Sequence, residues 1–320
     1  MKEIPCLAIV VPCYKEEAVL HETHKRLSQL LDQLIEEKQI ASDSYVLYVN
    51  DGSTDQTWPI IQDLYQHESY ACGLNLAGNV GHQNALMAGL DLVKGYCDIA
   101  VSIDADLQDD ILVIAEMVRR YKEGYDIVYG VRKERKTDTW FKRETAQAFY
   151  RLMNMMGVKT VYNHADYRLM SKRALQQLAR FRERNLFLRG LVPLIGYQTT
   201  CVYYNRSKRW AGESKYPLKK MLDFAIDGIT SFSVKPVRMI FWLGCVFILI
   251  GIGVTIWTLY THYIHDTVPG WASLIISIWL VGGFILAALG IVGEYIGKIY
   301  IEVKDRPRYN IERTLMRKDA

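Results

Sequence analysis

Tyr45-Val46-Leu47-Tyr48-Val49-Asn50-Asp51-Gly52-Ser53-Thr54-Asp55 is the stretch on which the fold turns. Its first part is rich in Val, Leu and Tyr and reads as a strand that stops at Asn50. Asp51-Gly52 would suit a hairpin turn. However, Gln56–His67 is helix-compatible, and Asp55 stands where a capping carboxylate belongs. A strand that passes through an acidic loop into a helix is half of a βα unit. The same alternation repeats on both sides. Leu7–Val11, Cys72–Leu76, Ile99–Ile103 and Ile127–Val131 are strand-like, and Glu17–Lys38, Gln83–Lys94 and Ile111–Lys122 are helix-compatible. Leu27, Leu30, Leu31, Leu34 and Ile35 mark one face of the first helix. This order predicts an α/β domain with a mainly parallel sheet and helices on both faces. In such sheets ligands gather at the carboxyl ends of the strands.

Three of those ends are acidic. The first strand runs into Pro12-Cys13-Tyr14-Lys15-Glu16-Glu17, the second into Asn50–Asp55, and the fourth into Asp104-Ala105-Asp106-Leu107-Gln108-Asp109-Asp110. Each loop alone has an ordinary reading as a cap or turn, but together they suit a nucleotide diphosphate. Its concentrated charge calls for a hard divalent cation, Mg²⁺ or Mn²⁺, held by one or two carboxylates and phosphate oxygens. Asp104 and Asp106 stand two apart, the small Ala105 between them allows close approach of a ligand, and Gln108 adds a carbonyl. Asp51 is placed to accept from a base or ribose.

These motifs, with Asn79-Val80-Gly81-His82, resemble the signature of inverting family-2 glycosyltransferases of the GT-A (Rossmann-like) fold. Asp166-Tyr167-Arg168-Leu169-Met170 and Arg209-Trp210-Ala211-Gly212-Glu213-Ser214-Lys215-Tyr216 are similar to later motifs of the polyprenyl-phosphate branch. The resemblance implies that Pro12, Tyr14, Glu16, Asp51, Asp104 and Ala105 line the nucleotide-sugar pocket. Asp106 and Gln108 would then hold the metal, and Asp166 would be the catalytic carboxylate. Arg132, Arg206, Arg209, Ser214 and Lys215 would meet the acceptor phosphate or the donor diphosphate. The implied reaction moves a sugar from a nucleotide-sugar, UDP-glucose or UDP-N-acetylglucosamine first, to a polyprenyl (undecaprenyl) phosphate. A processive polysaccharide synthase is the enzymatic alternative, but Arg206-Ser207-Lys208-Arg209-Trp210 lacks the Gln of that group's Gln-x-x-Arg-Trp motif. A silent membrane scaffold is the non-enzymatic alternative, against which the acidic residues speak.

The rest of the chain is apolar in a way a soluble domain is not. Met239–Tyr260 and Thr267–Gly293 carry no Asp, Glu, Lys or Arg and are each long enough for a transmembrane helix. Lys235, Arg238, Lys298, Lys304, Arg306 and Arg308 flank them, while Thr261–Asp266 has no Lys or Arg. The positive-inside rule then puts the large domain and both termini on the cytoplasmic side of a bacterial membrane. Leu218–Phe232 and Trp140–Met156 read as amphipathic helices lying in the interface. The expected organisation is a catalytic domain over 1–216, an interfacial helix over 217–235, a two-helix anchor over 236–297 and a cytoplasmic tail over 298–320. Gly283-x-x-x-Ala287 and Gly293-x-x-x-Gly297 allow close helix contact and hint at a homo-oligomer. A formal net charge of +4 over 320 residues argues against nucleic acid. Six cysteines without CxxC spacing argue against a zinc site or a disulfide framework. The N-terminal Met1–Glu17 reads as a strand entry and not as a signal peptide.

Overall fold

The structure, a computed structural model, describes residues 4–132, 164–184, 186–205, 230, 233, 235–264 and 270–317. Two compact units emerge, one formed by the first 150 residues with 159–217 and 306–320, the other by 151–158 and 218–305.

The first unit is built on an eight-stranded sheet in the order β7-β5-β6-β4-β1-β2-β3-β8. Its central strands are β1 (Leu7–Cys13), β2 (Tyr45–Asn50), β3 (Ala71–Leu76) and β4 (Ile99–Ser102), all parallel. All four are buried along their length, as expected of strands covered on both faces by helices. The helices are α1 (Leu20–Glu36), α2 (Thr57–His67), α3 (His82–Val93) and α4 (Val113–Lys122), close to the expected bounds. The Leu27, Leu30, Leu31 and Leu34 stripe of α1 enters the core. Asp55 accepts from the Thr57 amide at 3.1 Å but stands one residue before the helix cap, which is Gln56 and has no side-chain capping bond.

β5 (Ile127–Arg132) runs in the same direction as these strands, and β7 (Thr199–Tyr204) pairs parallel to it. Two strands run against the rest. β6 (His164–Ser171) lies antiparallel between β4 and β5, and β8 (Ile311–Leu315) lies antiparallel to β3 at the edge. The sheet is therefore mixed, though mainly parallel. Placing β6 next to β4 in reverse brings the start of β6 to the carboxyl end of β4. The short helices α5 (Lys172–Leu178) and α6 (Leu188–Leu194) follow β6.

The C-terminal residues expected as a tail are in part strand β8, and Tyr309 donates to Asp91 at 2.9 Å. An Ile-Glu-Arg-Thr-Leu strand is recruited because β3 would otherwise present a bare edge, and its charged side chains stay exposed.

Gly52 is required twice over. Its φ is +60°, and a Cβ there would lie 2.5 Å from the Asn79 nitrogen and the Gly78 carbonyl carbon. Gly52→Ala is expected to cost roughly 2–3 kcal/mol, from the left-handed backbone plus displacement of the Gly78–Asn79 chain. Urea unfolding followed by circular dichroism would check it, and a change below about 0.5 kcal/mol would contradict the contact.

The second unit contains α7 (Lys235–Ile264), 30 residues, and α8 (Trp271–Val303), 33 residues. Phe241, Trp242, Leu249, Trp257 and Leu286 are exposed on them. Among the described residues one stretch, Val281–Val303, is long and apolar enough to cross a bilayer, and it overlaps the expected Thr267–Gly293. Trp140–Met156, nearly all of the expected interfacial helix, and Arg206, Arg209, Ser214 and Lys215 lie outside the described residues.

Candidate functional site

The loops that follow β1, β2 and β3 are tied to one another by side-chain bonds, and the loop after β4 is tied to α1. The Asp51 carboxylate, 3% exposed, accepts from the amides of Val80 at 2.7 Å and Gly81 at 3.1 Å. A carboxylate holding two backbone N–H groups fixes the loop at the head of α3. Asp51 was expected to meet a base or ribose, yet these two bonds already give it a structural task. The Lys15 amide donates to Ser53 Oγ at 3.1 Å, and the Glu16 amide to Thr57 Oγ1 at 3.0 Å. Thr23 of α1 donates to the Ala105 carbonyl at 2.9 Å.

Not every expected pocket residue offers a surface. Pro12 is buried inside β1 and pairs in register with Val49, and Ala105 is 3% exposed. Tyr14 is 45% exposed, with the Lys15 ammonium 5.5 Å from its ring centre.

The loop after β4 carries the main acidic group. Asp106 is buried and accepts from the Gln108 amide at 3.2 Å, a turn that holds Leu107 at φ +55°. A branched-chain residue in the left-handed region is strained, and such strain persists only where the surroundings over-determine it. Those surroundings are visible. Asp109, 4% exposed, accepts from the Tyr204 hydroxyl at 2.6 Å and from Arg132 at 3.3 Å. The Tyr167 hydroxyl donates to the Asp110 carbonyl at 2.9 Å, and the Tyr167 and Tyr204 rings meet edge-on at 5.4 Å. Arg132, expected at a phosphate, is thus engaged with Asp109 and Tyr204 at the end of β5.

Asp104 keeps contact with solvent and lies 3.6 Å from His82 Nε2. Desolvation by the surrounding protein pushes its carboxyl up to about 6; His82 opposes this, and Asp109, Asp166 and Asp106 add to it. Carboxylates are gathered here more closely than they would choose.

Asp166 opens β6 beside them. The Ser102 hydroxyl of β4 donates to its carbonyl at 2.5 Å. Its carboxylate is held by two guanidiniums: Arg168, 1% exposed, on one oxygen, and Arg189 on the other at 3.1 Å. Burial alone would raise this carboxyl. Arg189 and Arg168, with His82, outweigh it and hold Asp166 well below the usual carboxylate range. Arg189, from the first turn of α6, is a participant that no motif announced. Its helix is positioned by the Leu188 amide, which donates to Gln83 of α3 at 2.9 Å.

Among the described residues no three His, Cys, Asp or Glu side chains form a closed metal cage. A hard cation that takes one or two carboxylates and completes its shell with phosphate oxygens and water needs no cage. Asp109 and Asp166 are paired with arginines, and Asp104, raised first by desolvation and further by the neighbouring carboxylates, carries charge that a cation would stabilise. Asp104, Asp106 and the neighbouring Gln108 fit such an ion.

The profile of Glycosyl transferase family 2 matches residues 8–179, and that of the GtrB C-terminal hairpin matches residues 235–299. The uncharacterized glycosyltransferase YkoT of Bacillus subtilis (strain 168) is 56% identical over 312 residues, covering 96% of this chain and 91% of the relative. The SfII prophage-derived bactoprenol glucosyl transferase of Shigella flexneri is 37% identical over 313 residues, covering 96% and 98%. Glucosyl-3-phosphoglycerate synthase from Mycobacterium tuberculosis aligns in structure with a TM-score of 0.46 at 17% identity, covering 71% of this chain and 76% of that one. With its strand-end acidic loops lying inside the matched region and its two long apolar helices overlapping the hairpin match, the chain belongs to glycosyl transferase family 2 and carries the GtrB C-terminal hairpin.

Proposed function

We propose that this glycosyltransferase moves a sugar from a UDP-sugar, UDP-glucose or UDP-N-acetylglucosamine, to undecaprenyl phosphate at the cytoplasmic face of a bacterial membrane, with inversion. The observation that carries the reading is one chain joining an acidic loop at the carboxyl end of β4 to helices of 30 and 33 residues that leave large apolar side chains exposed. Full-length relatives named bactoprenol glucosyl transferase support the acceptor class. Both helices would cross the bilayer, and the basic residues flanking them favour a cytoplasmic domain. An acceptor embedded in lipid cannot travel to a distant site, so an anchored enzyme brings its pocket to the phosphate.

The loops after β1 and β2 would take the nucleotide, ordered by the Lys15–Ser53 and Asp51–Gly81 bonds. Asp106 and Gln108, with Asp104, would hold Mg²⁺ or Mn²⁺. When bound, that ion would neutralise charge on the departing diphosphate. The acceptor phosphate is a monoester with a second pKa of about 6, so it is largely ionised at neutral pH and needs little help from a base. Asp166, with so little affinity for a proton, suits orienting Arg168 and Arg189 better than general-base work. Arg206, Arg209, Ser214 and Lys215 remain the proposed phosphate contacts.

The test is direct. Purified full chain, undecaprenyl phosphate, Mg²⁺ or Mn²⁺ and radiolabelled UDP-glucose, UDP-N-acetylglucosamine or GDP-mannose are incubated, and the lipid phase is chromatographed. A lipid product carrying a single sugar from a UDP donor is expected. A growing polymer, or label that never enters the lipid phase, would overturn the proposal.

A further inference from the structure

The C-terminal strand reaches the loops after β1 and β2 through a series of hydrogen bonds that meet at Ser53, whose N–H and Oγ make separate bonds. Lys15 N–H donates to Ser53 Oγ at 3.1 Å, and Ser53 N–H donates to Asn50 Oδ1 at 3.3 Å. Asn50 Nδ2 donates to Asn75 Oδ1 at 2.7 Å, and Asn75 Nδ2 donates to Glu312 Oε2 at 2.6 Å. Every donor points the same way, and the line ends on a carboxylate.

That ending decides the orientation of everything before it. An ionised carboxylate only accepts, whereas an Asn amide can turn over and exchange donor for acceptor. Glu312 on β8 compels Asn75 to present its NH₂ outward. Asn75 must then present its oxygen to Asn50, which in turn presents its NH₂ to Asn75 and its oxygen to the Ser53 amide. Asn50 is 2% exposed and Asn75 8% exposed, so water is poorly placed to replace a lost partner. Ser53 and Lys15 stand in the loops after β2 and β1 respectively.

We infer that Glu312 is a positioning residue for the donor nucleotide, setting the polarity of the Asn75 and Asn50 amides that receive the Ser53 N–H, and so the placement of Ser53, whose Oγ receives the Lys15 N–H, and the shape of the loops after β1 and β2. This rests on the proposal that those loops hold the nucleotide. It also gives the return of the chain to the sheet a purpose beyond covering an edge, since residues lying after the apolar hairpin complete the site.

A polarity series at one exposed position separates this from mere support. Gln can still offer an oxygen to Asn75, Ala offers nothing, and Lys can only donate. With Lys at 312, Asn75 and Asn50 would turn over and set the Asn50 NH₂ against the Ser53 N–H. Amide hydrogen exchange on the full chain without ligand reads the loops directly, and calorimetric titration with UDP alone reads their consequence. Exchange at Lys15 and Ser53 is expected to stay near wild type in Glu312→Gln, quicken in Glu312→Ala and quicken most in Glu312→Lys. UDP affinity should follow that order, within about twofold for Gln, about fivefold weaker for Ala and at least about tenfold weaker for Lys. Unchanged exchange at those amides in Glu312→Lys would overturn the inference, as would Gln behaving like Ala. UDP bound equally by wild type and all variants would also overturn it. A wild type that ignores UDP while the exchange order holds would leave the line standing and remove the UDP-donor reading instead.

Discussion

Replacing Asp104 and Asp106 together by Asn is expected to reduce sugar transfer by about 10³-fold or more, with the protein still folded. The size follows from what those carboxylates are proposed to do. A cation held at a departing diphosphate contributes several kcal/mol of charge stabilisation, and each 1.36 kcal/mol is about tenfold in rate. Folding should survive because Asn keeps the shape and the Oδ1 that accepts from the Gln108 amide. It also removes a charge that desolvation, and then the carboxylates of Asp109, Asp166 and Asp106, disfavour at Asp104, so neutral side chains there relax the loop. Thermal unfolding is therefore expected to be unchanged or slightly improved while activity collapses. That divergence separates a chemical role from a structural one. Chelation should copy the loss in the wild type, and added Mg²⁺ or Mn²⁺ should restore it. Transfer at wild-type rate in chelator, or in the double variant, would remove the metal from the reading.

The parallel core was legible because its strands are buried on both faces and therefore read as near-continuous apolar runs, each separated by a helix-length segment. The acidic loops were legible for a related reason: the carboxyl end of a strand is where an α/β sheet can afford polar residues. β6 was hidden because its sequence alternates charged and apolar residues, with Arg168 buried at 1% exposure. Nothing local distinguishes a buried arginine that completes an ion group from a solvated one. β8 was hidden more completely, since Ile-Glu-Arg-Thr-Leu is polar enough to be a tail and becomes a strand only because β3 offers an edge. Arg189 sat in an arginine-rich stretch with Arg180, Arg182 and Arg184, and only the fold selects it as the partner of Asp166. The role of Asp51 was read from its chemistry as an acceptor for a base or ribose; in the fold its carboxylate accepts from the chain's own Val80 and Gly81 amides.

Asp166→Asn is expected to lower kcat by about 10²-fold or more without deleting a limb of the pH–rate profile, because the role proposed for the carboxylate is to act by its charge and not by taking a proton. A general base that titrates in the working range imposes an acid limb, and the limb vanishes when the base is removed. Asp166 cannot impose one, since Arg189 and Arg168 hold its carboxyl well below the usual range. The folded protein should also feel the change. Breaking a buried ion group by removing one partner costs about 3–5 kcal/mol, since the remaining charge is stranded. Here that charge is the wholly buried Arg168, with Arg189 repelling it across the neutral amide. The sign with pH follows from linkage. A carboxyl whose pKa is depressed by folding contributes stability that is fully present above its unfolded value of about 3.9 and is lost as pH falls from there toward the folded value. The stability gap between wild type and Asp166→Asn should therefore be flat from pH 8 to about pH 5 and close only in stronger acid. Adding Arg189→Gln to Asp166→Asn removes the repulsion, so the pair should be more stable than the single variant; stability measured over a double-mutant cycle reads that coupling. Wild-type kcat in Asp166→Asn, or an acid limb present in wild type and absent from the variant, would return Asp166 to a different role.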